Sequence, residues 1–296
     1  MRCRDHGATR ADVVTIFIGV IVVLSGLFGM LLPGYQRERI VAYRHSCGTN
    51  LMEMGQAMMV YASDYDGVLP VAGPPGTAWG PGLNDWKADN RAEAFGADVN
   101  AVGGQATVGA SLYLLVRYAE VSPELFVCRR DKGTRVFRPE EYGLEDSRLD
   151  RLWDFGPDPA RHCSYAYHLP YGQFGLTTSV QLGAPVAADR NPWIDGPRHK
   201  TGEFSRFQPD LTSFGGTTQE ALRGNSPVHA SDGQNVLYLD GHVEFAKRAY
   251  CGVEEDNAYT SWDGLDKARG VPPRPYESQP AHQLDSLLVN DPPLGR

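Results

Sequence analysis

The sequence predicts an α+β fold: a long N-terminal helix, apolar and then amphipathic, packed on an antiparallel β-sheet head with long irregular loops. Three stretches carry that expectation. Residues 13–36, VVTIFIGVIVVLSGLFGMLLPGYQ, contain no charge. Ile40, Tyr43, Cys47, Leu51, Met54, Met58, Tyr61 and Tyr65 then follow at intervals of three or four, which places them on one stripe of a helix. Near the far end, NVLYLDGHVEF joins two alternating runs through Asp240-Gly241, a strong hairpin signal because the turn needs positive φ.

The bulk composition bounds the function. The chain has 296 residues, 42% of them hydrophobic, and room for one large or two small domains beside the helix. A net charge of −8 argues against nucleic acid, whose phosphates need a basic surface. There is no Gly-Lys-Ser/Thr phosphate loop and no Gly-x-Gly-x-x-Gly after a strand. Thirty-three Gly and 21 Pro predict many turns.

In chain order, residues 1–12 form a basic leader. The uncharged run exceeds the ~20 helical residues that span a ~30 Å hydrocarbon core, and it is longer than a signal-peptide core of roughly 7–15 residues. It therefore reads as a retained transmembrane helix over 13–36. Arg2, Arg4 and Arg10 precede it and Arg37, Arg39 and Arg44 follow, so charge does not orient it. Bulk places the N-terminus in the cytoplasm and the head in the periplasm or outside, on a single-pass inner (cytoplasmic) membrane protein. Residues 37–66 continue the helix with its stripe on the sheet, and Gly67 and Pro70 stop it.

The head is expected over 67–269. Residues 72–105, with Trp79 and Trp86, read as a surface excursion, and 109–120 as a helix ended by Ser122-Pro123. Residues 125–128, 163–168 and 184–188 read as strands. In the hairpin, strands 235–239 and 242–245 pair Tyr238 with Val243 and Val236 with Phe245. The Pro-rich tail, 270–296, is expected to be extended or disordered, with one helical turn at 284–289.

The leader and run resemble type IV prepilins and the pseudopilins of type II secretion: a basic leader, Gly7 before a cleavage point, Ala8 as new N-terminus and Asp12 as fifth residue. The resemblance implies cleavage and methylation there by a prepilin peptidase, and pairing of Asp12 with the terminal amine of a neighbouring subunit. The residues alone are equally compatible with an uncleaved anchor. Cys47, Asn50 and Leu51, then Tyr61, Asp64, Gly67 and Pro70, are similar to a large bacterial group of prepilin-like proteins. So is the C-terminal signature of that group, a His, nine residues and Asp-Gly. Here His229 is followed by ten residues before Asp240-Gly241, and His242 follows. Asn225-Ser226, Cys251-Gly252 and Asp256-Asn257 also fit it.

The chemistry-bearing residues are few. His229, Asp232, Asp240 and His242 are suitable metal ligands by type. Turn geometry accounts for Asp232 and Asp240, and strand pairing for His242. No metal or other cofactor is expected, with calcium on Asp232 or Asp240 as the alternative. Cys47, Cys128, Cys163 and Cys251 permit two disulfides in three connectivities. Cys128 with Cys163 is the preferred pair because both lie beside strand-like segments; free thiols are the alternative. No Gly-x-Ser-x-Gly and no His-Glu-x-x-His occur, and no enzyme is expected.

Two functions follow. One is a membrane-anchored, pilin- or pseudopilin-like structural subunit of a secretion or cell-surface apparatus. Its partners are the bilayer and other subunits, met through the helix, where Gly19, Ser25, Gly26 and Gly29 allow close approach. The other is a static membrane-anchored protein binding a ligand or metal through the loops of its head.

Overall fold

A computed structural model describes residues 10–144, 149–211, 217–262 and 264–295, without the side chains of residues 11, 12 and 28–37. Gly7 and Ala8 lie outside the described residues, as does the side chain of Asp12. The chain divides into two compact units, Met1–Tyr43 and Arg44–Arg296.

Helix α1, Arg10–Asp64, is 55 residues long. It ends where the local chemistry predicts: Gly67 adopts φ +77° and its N–H donates to Ala62 O at 2.8 Å. Among the described residues, however, no helix is long and apolar enough to cross a membrane. The part of α1 with described apolar side chains, residues 13–27, is about 22 Å of helix at 1.5 Å per residue, short of the ~30 Å of a hydrocarbon core. The expected transmembrane-plus-amphipathic rod of pilin-like architecture is overturned on this point. The single-pass inner-membrane location, with its cytoplasmic N-terminus and periplasmic or extracellular head, falls with it.

In the second unit the C-terminal part of α1 is followed by β1 (Ala78–Trp79), α2 (Arg91–Phe95), β2 (Gln105–Ala106) and α3 (Val108–Ala119). β1 and β2 pair in parallel. The supposed surface excursion is packed, for Trp79, Ala94 and Phe95 are buried. Asn90 caps α2 by accepting from Glu93 N, and Gly96 closes it in the left-handed region. Thr107 caps α3 by accepting from Ala110 N. Residues 125–128 are not a strand. Pro123–Phe126 forms a 3₁₀ turn with Pro at its first position, where its missing N–H costs nothing.

The remaining elements are β3 (Tyr165–His168), β4 (Pro185–Asp189), α4 (Gln219–Leu222), β5 (Gln234–Tyr238), β6 (Val243–Ala246) and β7 (Leu288–Val289). Five of them form one antiparallel sheet in the order β6-β5-β4-β3-β7. Both faces are buried. Tyr165, Tyr167, Val186, Leu237 and Leu239 join Leu51, Met54 and Met58 of α1 and Leu112 and Leu115 of α3 in the main core. Ala166, Ala188, Val236, Tyr238 and Leu288 face a second core with Trp193, Phe207 and Tyr259.

Two details differ from expectation. Leu237 pairs with Val243 and Val236 with Glu244, one residue away from the predicted register. Tyr238 N donates to His242 O at 3.0 Å and Gly241 N to Tyr238 O at 2.9 Å, so the loop has three residues, 239–241. Only its last, Gly241, takes positive φ, +87°. That extra residue moves Val243 onto the main-core side with Leu237. The Pro-rich tail, in turn, supplies edge strand β7. Its Asp291 carboxylate accepts from Trp79 Nε1 at 2.9 Å and from Val108 N and Gly109 N at 3.0 and 2.7 Å. It thereby satisfies the open N–H groups at the start of α3.

Candidate functional site

The densest set of chemistry-bearing side chains lies where α1 meets the end of β4 and the loop before β5. Cys47 sits on the buried stripe of α1, one turn before Leu51. The loop after the 3₁₀ turn brings Cys128 to it, and the two form a disulfide across 81 residues of sequence, with Cα atoms 5.6 Å apart. The preferred Cys128–Cys163 pair is therefore corrected, although the segments that carry these two cysteines do lie side by side. Cys128 N donates to Ser164 Oγ at 3.0 Å and Ser164 N to Phe126 O at 2.8 Å. Cys163 is buried and free, and burial pushes its thiol up to about 12. Cys251 is free as well, its thiol also raised to about 12 by burial.

Asp189 ends β4, fully buried. Its Oδ2 accepts from Asn235 N at 2.6 Å and Asn235 Nδ2 at 3.1 Å, in place of the next rung of the β-ladder. His229 Nε2 lies 3.3 Å from the same oxygen and is also fully buried. The loop that delivers His229 is tightly held. Asn225 Nδ2 donates to Ser231 O and Lys247 O, Gln234 Nε2 donates to Ala246 O and Arg248 O, and Ser226 N donates to Gln234 Oε1. Ala230 and Ser231 both take left-handed φ, +62° and +59°. Gly233 must remain glycine, since a Cβ there would stand 2.4 Å from Ala246 O. The Phe245 ring covers His229 edge-on at 6.1 Å, and the Arg44 guanidinium lies 4.4 Å over that ring.

One ligand atom from each of Cys47, Cys128, Asp189 and His229 falls within 4.8 Å of the other three, all four residues buried. A metal is geometrically possible at this group, but its two sulfurs are bonded to each other. Asp189 Oδ1 and His229 Nδ1 are buried without a hydrogen-bond partner among the described residues.

Of the residues singled out in the sequence, Cys47, Cys128 and His229 belong to this group, and Asp232, Asp240 and His242 do not. Asp240 and His242 sit together on the exposed turn, Nδ1 to Oδ1 at 2.5 Å, and the His242 N–H holds the Asp240 carboxyl below its ordinary range. Asp232 is paired with Arg44. Asp189 was missed. Its local sign was slight: an acid closing the otherwise apolar strand PVAAD. Cys47 was legible as a stripe residue but not as a bonded one.

Beside Asp189 lies a buried ion pair. Arg190 donates through Nε and Nη2 to Asp131 Oδ2 at 3.1 and 2.9 Å, and through Nη2 to Ala160 O at 3.0 Å. The head also carries an open cleft of about 860 Å³, lined in part by Tyr61, Tyr65, Arg91 and Tyr171. In the first unit, α1 exposes eleven large apolar side chains between Val13 and Leu27, from 48% exposed at Ile21 to 66% at Ile16 and Phe17.

No protein-family model, curated protein or solved structure matches this chain. With no membrane-crossing helix among the described residues, no support remains for the pilin and secretion-apparatus expectations.

Proposed function

We propose that this protein is a structural subunit that assembles by packing the first stretch of α1 against the same stretch of further copies. The observation that carries this reading is the apolar surface of residues 13–27. A helix that is apolar all round is stable only when buried, and exposed apolar patches of more than a few hundred Å² mark interaction sites. Two features favour like helices as the occupant. A Cβ added at Gly19 or Gly26 would meet nothing within 4 Å, so a second backbone can approach closely there. The hydroxyl of Ser25 is already satisfied by Ile21 O at 2.6 Å, which leaves no polar group to desolvate at that point. No charge in this stretch selects a different partner, and closed assemblies of identical chains are the common outcome for such a surface.

Sedimentation velocity of the full-length protein over a range of concentrations tests the reading. Oligomers are expected, and a Val20→Asp/Leu24→Asp variant is expected to sediment as a monomer. A full-length protein that stays monomeric, or a variant that keeps the same oligomer size, overturns it.

A further inference from the structure

The Cys47–Cys128 disulfide lies against two buried ligands that it does not use. Together the four residues are a complete ligand set for a tetrahedral zinc ion: two sulfurs, one imidazole and one carboxylate. With the sulfurs joined, only Asp189 and His229 remain as donors, too few for a structural site. We propose that Cys47, Cys128, Asp189 and His229 form a redox-gated zinc site, closed while the disulfide exists and binding one zinc ion when it is reduced.

The geometry requires little movement. The four ligand atoms already fall within 4.8 Å of one another. Zinc–ligand bonds of about 2.0–2.3 Å place tetrahedral donors roughly 3.3–3.8 Å apart, so shifts of about 1 Å suffice. The surroundings are also those of a ligand site. Asn235 N and Nδ2 hold Asp189 Oδ2 and leave Oδ1 without a partner, as an outer-shell donor orients a ligating carboxylate. His229 likewise keeps one buried ring nitrogen unpartnered, which an apolar core would penalise. Two thiolates select zinc over calcium, which takes oxygen ligands.

The chemistry balances with a phosphine or dithiol as reductant. Two electrons pass to the S–S bond, which breaks to give two thiols. A phosphine is oxidised to its oxide with oxygen from water, and a dithiol closes to its own disulfide. Zinc then replaces the two thiol protons, which go to solvent. Three of the four ligands come from outside α1, so the ion re-ties the helix to the head where the disulfide had tied it.

The test uses the full-length protein, oxidised or reduced with a phosphine until the thiol count has risen by two per chain. Zinc binding is measured by calorimetry, and cobalt(II) serves as the spectroscopic probe of tetrahedral thiolate coordination. The reduced protein is expected to bind one ion per chain and give the cobalt–thiolate spectrum; the oxidised protein is expected to do neither. Asp189→Asn and His229→Ala retain every thiol, and each is expected to weaken binding in the reduced state by 10- to 100-fold or more. Failure of the reduced protein to bind, equal binding by the oxidised protein, or unchanged affinity in both variants overturns the proposal. Should reduction unfold the head, added zinc must restore its circular dichroism; no recovery overturns the proposal equally.

Discussion

The two units of this protein solve opposite problems with opposite residues. Met1–Tyr43 presents apolar side chains that stay exposed along the described part of its helix. Arg44–Arg296 buries groups that normally seek water, including Arg190, Asp154, Asp189, His229 and Asp291. Apolar attraction is non-directional, so the first surface sets no unique partner geometry. Burying a polar group costs free energy unless it is paired, so most of those in the head fix where their partners must be. The buried polar groups thus fix which segments of the head meet, whereas the described part of the first helix keeps an exposed apolar surface.

Breaking a buried pair is the strongest way to test that contrast. Arg190→Met leaves Asp131 buried without its cation and is expected to cost about 3–5 kcal/mol. For a domain of this size that lowers Tm by about 6–20 °C, measured by calorimetry on the isolated mutant protein. Reduction of Cys47–Cys128, or the Cys47→Ala/Cys128→Ala variant, releases a closed loop spanning 81 residues. The expected loss is about 2–5 kcal/mol in denaturant titrations without metal.

Protonation gives a third test. Burial raises Asp256 from its ordinary 3.8 to about 7. The folded state therefore favours the neutral acid; this contribution is complete below about pH 4 and is lost as the pH rises through 7. Asp256→Asn removes it. The stability of the variant relative to wild type is expected to rise between pH 4 and 7 by at most about 1.4 kcal/mol per pH unit. A constant difference across that window would refute the assignment. Gly233→Ala pushes a Cβ towards Ala246 O and is expected to cost about 1–3 kcal/mol, with His229 displaced in the mutant's crystal structure. The smallest effect sharpens the contrast from the other side. Val20→Asp/Leu24→Asp alters exposed positions only and is expected to leave the melting of the head within about 0.5 kcal/mol of wild type.

Local patterns were readable wherever one periodicity dominated. The predicted stripe is buried from Cys47 to Tyr61, half-buried at Ile40 and Tyr43 and exposed at Tyr65, and α3 spans Val108–Ala119 against an expected 109–120. The hairpin was legible, but its register was not, because a two-residue and a three-residue loop can share the same Asp-Gly. The tail looked unstructured because Pro-rich composition reports only local preference, whereas β7 is fastened by β3 and by Asp291. Asp189 and the partner of Cys128 were invisible because each is defined by a residue at least 40 positions away.

By itself, then, the sequence determined the buried stripe of α1, helix α3 and the place of the Asp240-Gly241 turn, since these depend on neighbours within a few residues. Only the tertiary structure decided which cysteine Cys128 meets, which acid faces His229, and which charges are buried. Those choices depend on how far-apart segments come together, and a buried sulfur, carboxylate or imidazole takes its chemistry from the group placed opposite it.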